Sequence, residues 1–144
     1  MISIKTPQEI ELMKIAGKIV GDTHNYLIPY IKPGITTKEL DRLAEDFILS
    51  QNATPSFKGL YGFPGTICIS VNDEVVHGIP GNTKLKNGDI ISIDVGVAYK
   101  NYHSDAARTY IIGEVDNKIK KLVEKTEESL YEGLKVIKAG AKIG

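Results

Sequence analysis

The amino-acid sequence predicts an α+β fold, and three patterns lead to this prediction. Two segments begin with helix-capping residues and continue with apolar residues at helical spacing, and a third helical segment follows near the end of the chain. Between them, residues 88–110 alternate apolar and polar positions as a β-hairpin does. The 144 residues are one domain's length and can bury a core. Helices and an antiparallel hairpin in separate blocks are typical of α+β proteins.

Two capping boxes mark the starts of the first two helices. Thr6-Pro7-Gln8-Glu9 predicts a helix from about Pro7 to Ile28, which Pro29 ends. Residues 36–39 repeat the signal and predict a second helix, with an inner side formed by Leu40, Leu43, Ala44, Phe47 and Ile48. We assign these apolar stripes to the core.

The middle of the chain combines a loop, a strand and a turn. Residues 51–65 are rich in turn formers and aromatic residues, which predicts an ordered loop with a short strand at most. The next segment alternates apolar and polar residues and predicts a half-buried strand, with Cys68 on its polar side. A turn at residues 72–74 then leads to His77, which precedes a glycine, where backbone can approach a ligand closely. Taken alone, His77 is more often a structural histidine than a catalytic one.

The hairpin carries one acidic residue in each arm, Asp94 and Asp105. A turn at Tyr99-Lys100 would place the two directly opposite each other, and a turn at Lys100-Asn101 would make them diagonal neighbours on one face. Either register brings them within roughly 4.5 to 8 Å, where like charges destabilise a sheet. A divalent cation held by oxygen ligands explains the pair better than two solvated carboxylates do.

A third helix is predicted to begin at Val115-Asp116 and to end at residues 138–140, with an inner side formed by Ile119, Leu122, Val123, Thr126, Leu130, Leu134 and Ile137. The segment after the first helix, IKPGITT from Ile31, resembles IKAGAKIG from Ile137 after the third. This faint repeat predicts that the chain is the first half of a pseudo-symmetric protein.

Composition excludes several classes of function. Lys plus Arg and Asp plus Glu number 18 each, so no long-range field favours nucleic acid or an anionic membrane. No segment has the apolar length of a signal sequence or a membrane span, which predicts a cytoplasmic protein. A single cysteine excludes an internal disulfide and a cysteine-rich zinc site.

Three segments together closely resemble the type I methionine aminopeptidases: TICISVNDEVVHGIP with His77, GDIISIDVGV with Asp94, and YHSDAARTY with Asp105. The resemblance covers almost the whole chain, including the Lys-Pro-Gly turn and the Gly-Phe-Pro loop. It implies the "pita-bread" fold, in which helices back one face of an antiparallel sheet. It also implies removal of the N-terminal methionine from nascent proteins and peptides, through a water activated between two divalent metal ions.

The resemblance also implies roles for individual residues. Asp94 would chelate one metal ion and Asp105 would bridge both, while His77 would act in catalysis by hydrogen bonding to the scissile amide region. Phe63, where the family often has tyrosine, and Cys68 match positions that line the pocket for the methionine side chain. These ligand types suit Co, Mn, Fe or Zn and do not identify which.

A further histidine, His103, lies where relatives place one near the bridging aspartate. We interpret it as a hairpin residue that supports the turn.

In the family, a second half of similar length supplies one more histidine and two glutamates as metal ligands, and another histidine that contacts the substrate. Residues 1–144 would then be the N-terminal half of the catalytic domain, and we expect them to be inactive alone. Two alternatives stay open. One is a pita-bread module that binds peptides without hydrolysing them, and the other is a mononuclear iron oxygenase with His103, Asp105 and His77 as ligands.

Overall fold

The computed structural model describes residues 3–142. Within these residues, three α-helices and four strands follow one another: α1 Pro7–Leu27, α2 Thr37–Ser50, β1 Thr54–Pro55, β2 Cys68–Val71, β3 Ile90–Tyr99, β4 Tyr102–Ile111 and α3 Asn117–Lys135. Residues 1–2 and 143–144 lie outside the described residues. The first pair belongs to the N-terminal segment predicted not to be a signal sequence, and the second pair ends the repeated segment that begins at Ile137.

Both predicted capping boxes are confirmed. At the start of α1, the Glu9 amide donates to Thr6 Oγ1 at 3.3 Å and the Thr6 amide donates to Glu9 Oε2 at 2.7 Å. Thr36 and Glu39 exchange the same two bonds at 3.1 and 2.8 Å before α2. Each box satisfies backbone donors that the first helical turn leaves open, so local sequence alone defines both starts.

Strand β3 is the centre of an antiparallel sheet. It pairs along its whole length with β4 on one side and with β1 and β2 on the other. Gly96 pairs with Asp105, which is the register of the Lys100-Asn101 turn. Lys100 and Asn101 have φ of 48° and 67°, as a two-residue type I′ turn requires.

The core lies between the sheet and the first two helices. The inward-facing residues of β3 are fully buried and pack with buried apolar residues of α1 and α2; the set comprises Ile19, Val20, Leu27, Leu40, Ala44, Ile48, Ile91, Ile93, Val95 and Val97. The predicted α+β class, an antiparallel sheet backed by helices, is confirmed. The opposite face of β3, which carries Asp94, does not take part in this core.

Strand β2 is more buried than predicted. Cys68 and Ser70, assigned to a half-exposed polar side, are each only 5% exposed. The segment after the turn closes over the strand: Gly78 lies so close to Ile69 and Ser70 that a Cβ on it would collide with their backbone. The Gly78 amide donates to Ser70 Oγ at 3.2 Å, and the Ile69 amide donates to Gly78 O at 2.9 Å.

The predicted inner side of α3 is not buried. The helix is capped by Asp116 as predicted, but it ends at Lys135, and no residue from Asn117 to Lys135 is buried. Leu122, for example, is 61% exposed. The apolar spacing indicated which side of the helix could be covered, whereas burial also needs a neighbour, and no other described element packs along α3. Within residues 3–142, no helix is long and apolar enough to cross a membrane.

Candidate active site

Three strands bring Cys68, Asp94 and Asp105 together on the sheet face opposite the core. Cys68 on β2 lies directly across from Asp94 on β3. Asp105 on β4 faces the same way, because its partner Gly96 is two residues beyond Asp94. The two aspartates are therefore diagonal neighbours, and sheet register alone assembles this row.

An aromatic wall stands next to the row. The Phe57 ring lies so close to Gly96 that a Cβ on the glycine would overlap it. The Ser56 amide donates to Gly96 O at 2.9 Å and fixes the start of this loop on β3. Sequence analysis did not single out Phe57, although a glycine inside a strand signals close approach by another group.

The loop that follows forms the outer wall. Residues 57–63 close on themselves through backbone hydrogen bonds, including the Gly59 amide to Phe63 O at 2.8 Å. Tyr61, between Leu60 and Gly62, has φ of 49° and a fully exposed side chain. Together with the row of strand residues, the loop encloses a pocket of about 490 Å³, whose apolar lining comes from Phe57, Leu60, Tyr61, Phe63, Pro64 and Ile79.

His77 lines the same pocket from the opposite side. It has φ of 58°, an unfavourable backbone conformation that the tight packing of Gly78 on β2 maintains. Its imidazole is exposed toward the pocket. All five predicted site residues, Phe63, Cys68, His77, Asp94 and Asp105, therefore line one pocket.

His103 lies elsewhere. Its Nδ1 is 2.9 Å from Ser56 Oγ, so His103 connects the hairpin to the loop that follows β1. This contact fits the interpretation of His103 as a supporting residue of the hairpin. His24, which the sequence analysis passed over, is fully buried and bonded to β4 one residue from Asp105.

The environment of Asp94 is unusual for a carboxylate. Burial, followed by the nearby charge of Asp105 and a hydrogen bond shared with it, raises the pKa of Asp94 from 3.8 to about 6, and the charge of His77 opposes the shift. Oδ1 of Asp94 is buried and has no hydrogen-bond partner among the described residues. A buried oxygen without a partner costs free energy, and a bound cation or a proton would remove that cost.

Cys68 has no nucleophilic character in this setting. Burial, and then the charges of Asp94 and Asp105, raise the pKa of its thiol from 9.0 to about 11. The thiol is protonated near neutral pH and serves as a small polarisable wall of the pocket.

The described residues do not contain a complete cluster of metal-ligating side chains. Within residues 3–142, no three His, Cys, Asp or Glu side chains converge in an arrangement that could hold an ion. The hypothetical iron triad of His77, His103 and Asp105 is thus not formed there. Asp94 and Asp105 fit a hard divalent cation by donor type, and Asp94 offers an oxygen without a partner.

The antiparallel sheet backed by helices is the arrangement of the pita-bread fold. The chain belongs to metallopeptidase family M24, whose family model matches residues 11–144.

Individual relatives are more specific. The chain is 57% identical over 143 residues to methionine aminopeptidase 1 of Bacillus subtilis, an alignment that covers 99% of this chain and 58% of that protein. Its structure resembles the crystal structure of methionine aminopeptidase from Rickettsia prowazekii, with a TM-score of 0.96 and 40% identity over 99% of this chain and 57% of that one. The enzyme from Thermotoga maritima gives a TM-score of 0.93 and 45% identity, covering 96% of this chain and 56% of that one. The chain therefore spans little more than half the length of the relatives that it matches.

Proposed function

We propose that this chain forms the N-terminal half of the catalytic domain of a methionine aminopeptidase. Its substrates are the N-termini of nascent polypeptides and of peptides, in the cytoplasm. The observation that carries the proposal is the row of Cys68, Asp94 and Asp105 at the floor of a pocket with apolar walls. A site of this kind can bind an unbranched apolar side chain beside a group that ligates metal.

Asp94 and Asp105 are the residues of this chain that would hold the metal, two divalent ions drawn from Co, Mn, Fe and Zn. When bound, such ions lower the pKa of a water molecule and polarise the substrate carbonyl. By the family resemblance, Asp105 would serve both ions and Asp94 would hold one of them, and the unpartnered buried oxygen of Asp94 supports its role as a ligand. The remaining ligands would come from the second half of the domain.

The other pocket residues orient the substrate. Phe63 and the protonated Cys68 contact the methionine side chain, and their apolar and polarisable surfaces suit a thioether. His77, exposed at the other side of the pocket, hydrogen bonds to the scissile amide region. The loop at residues 57–63 excludes water from the methionine side chain.

Two features support a missing half. Strand β4 has no strand partner on its outer edge among the described residues, and α3 has an uncovered apolar side. A further segment that pairs with β4 and packs on α3 would complete both the sheet and the ligand set. We expect the 144-residue chain to be inactive without it.

The peptide-binding module is the second candidate, because the pocket could hold a methionine side chain without hydrolysis. The orphaned carboxyl oxygen of Asp94 favours the peptidase, since a pure binding pocket gains nothing from a buried oxygen without a partner.

The proposal is tested by supplying the missing half. The part of Bacillus subtilis methionine aminopeptidase 1 that extends beyond the matched region would be produced as a separate chain and mixed with this one. With Mn²⁺ or Co²⁺, we expect methionine release from a peptide that begins Met-Ala. A stable complex that binds this peptide and releases no methionine would favour the binding module and contradict the peptidase.

A further inference from the structure

Polar side chains of helix α1 hold strand β4 at several points along its length. Glu9 Oε1 accepts a hydrogen bond from the Tyr102 hydroxyl at 2.8 Å, at the beginning of β4. Asn25 Oδ1 accepts from Arg108 Nη1 at 3.2 Å, farther along the strand. Among the described residues the only strand partner of β4 is β3, so α1 provides the second support of this edge strand.

His24 provides a further contact between α1 and β4, and this contact is buried. Its side chain is fully buried, with Nε2 at 2.9 Å from Ala106 O and Nδ1 at 3.0 Å from Tyr110 Oη. A carbonyl oxygen can only accept, so Nε2–H donates to Ala106. Burial lowers the pKa of His24 and favours the neutral imidazole, in which Nδ1 accepts from the Tyr110 hydroxyl.

The bond at Ala106 acts next to the site, because Ala106 follows Asp105 directly. Asp105 itself is exposed on an edge strand. Its carboxylate keeps its place beside Asp94 only if the backbone on both sides of it is held. His24 anchors the peptide unit that joins Ala106 to Ala107, one residue beyond Asp105, and its bond to Tyr110 fixes the same strand four residues later.

We infer that His24 is a positioning residue for Asp105, which it holds beside Asp94 through its hydrogen bonds to Ala106 and Tyr110. The inference rests on the proposed role of Asp105 as a metal ligand. An apolar side chain of similar size would fill the same space in the core and would leave β4 without these two bonds. This difference separates positioning from packing.

The test compares variants of the 144-residue chain by ¹⁵N relaxation. His24→Leu removes both bonds and keeps most of the volume, whereas His24→Gln keeps an amide donor that can reach Ala106 O. In His24→Leu we expect the backbone order parameters of residues 104–107 to fall from about 0.85, typical of rigid backbone, to below about 0.6. His24→Gln should recover most of the loss. Ile48→Val, a core change on α2, controls for a general loss of stability and should leave residues 104–107 rigid.

A second readout is the affinity for Mn²⁺ alone, measured in the complex with the second half of the Bacillus subtilis relative by paramagnetic broadening of the Asp94 and Asp105 amide signals. We expect His24→Leu to weaken Mn²⁺ binding about tenfold or more, as loss of a residue that supports a ligand commonly does, and Ile48→Val to leave it unchanged. If His24→Leu fails to fold, Tyr110→Phe, which removes one hydroxyl, should show a smaller loosening at the same residues.

The two readouts separate the inference from the proposed function. Unchanged order parameters at residues 104–107 in every His24 and Tyr110 variant would overturn the positioning role, whatever the metal result. Absence of Mn²⁺ broadening at Asp94 and Asp105 in the parent complex with the second half would instead count against the ligand assignment, and the order parameters of the 144-residue chain would still decide the role of His24 in holding the strand.

Discussion

At the scale of single residues, Asp94 carries the main energetic cost of the site. Its carboxyl group is half-buried beside a second carboxyl group, and one of its oxygens has no partner among the described residues. A fold selected for stability alone would avoid this arrangement, because an unpaired buried acceptor costs about 1 to 3 kcal/mol. The alternation along β3 was enough to predict that Asp94 faces away from the core. The burial of its oxygen could not be predicted, because it depends on distant parts of the chain.

Substitution of the two aspartates tests their different roles. In the enzyme completed with the second half from the Bacillus relative, Asp105→Asn should lose at least about tenfold more activity than Asp94→Asn, because a bridging ligand serves two ions and a terminal ligand serves one. Methionine release and bound metal would be measured together. Full activity and metal content in Asp105→Asn would contradict the site assignment.

His24 should make stability depend on pH. Burial, with a smaller contribution from the charge of Arg108, lowers the pKa of His24 below 6.5, so the unfolded chain takes up its proton more readily. The stabilisation from neutral His24 is complete above about pH 6.5 and is lost as the pH falls toward the folded-state pKa. Urea unfolding should therefore show His24→Leu well below the parent at pH 8 and closer to it at pH 5.5.

Titration of Asp94 changes folding stability with pH in the opposite direction to that of His24. Its pKa of about 6 in the folded chain, against 3.8 ordinarily, means that the folded state gains stability as the pH falls through this range. Because loss of His24 is expected to move Asp105 and so change this contribution, the two chains are compared in an Asp94→Asn background, where the contribution is absent. If the difference in unfolding free energy between the two chains stays constant from pH 8 to pH 5.5, as is expected of Ile48→Val, the lowered pKa of His24 is contradicted.

At the scale of secondary-structure elements, predictability followed the range of the interactions. The starts of α1 and α2 depend on residues three apart, and the sequence predicted both. The hairpin register depends on a turn that two sequence positions could have formed, and the positive φ of Lys100 and Asn101 decided it. The cover on β2 comes from a later segment of the chain, and the burial of α3 depends on whether another element packs on it, so local patterns predicted both incorrectly.

The contact between Phe57, in the loop that follows β1, and Gly96 on β3 should be sensitive to a single added methyl group. Gly96→Ala would drive a Cβ into the Phe57 ring, and overpacking of this kind costs about 1 to 3 kcal/mol of unfolding free energy. Urea denaturation measures this cost. Gly133→Ala on exposed α3, where a Cβ meets no atom within 4 Å, is the matched control and should stabilise the chain by up to about 1 kcal/mol.

A second variant identifies the colliding group. Phe57→Leu, combined with Gly96→Ala, should recover part of the lost stability because the smaller side chain leaves room for the Cβ. If the double variant is no more stable than Gly96→Ala, the ring is not the obstacle.

At the scale of the whole molecule, two open surfaces govern behaviour in solution. Among the described residues the outer edge of β4 has no strand partner, and the apolar side of α3 is exposed, so both can associate with another chain. We expect sedimentation velocity of the isolated chain to show species heavier than a monomer, and a peptidase assay to show no methionine release. Addition of the second half should replace these species with a one-to-one complex. A stable monomer that cleaves Met-peptides unaided would contradict this view.

The burial of Cys68 makes the alkylation rate of its thiol a measure of local opening. A shift of the thiol pKa from 9.0 to about 11 lowers the reactive thiolate fraction about 100-fold near neutral pH, since two units are two powers of ten. The folded chain should thus be almost inert to iodoacetamide, and the rate of carbamidomethylation should report how often the segments at residues 57–63 and 77–81 separate. Since the sequence contains one cysteine, the mass of the intact chain gives the fraction of molecules that have reacted at Cys68 at each time point.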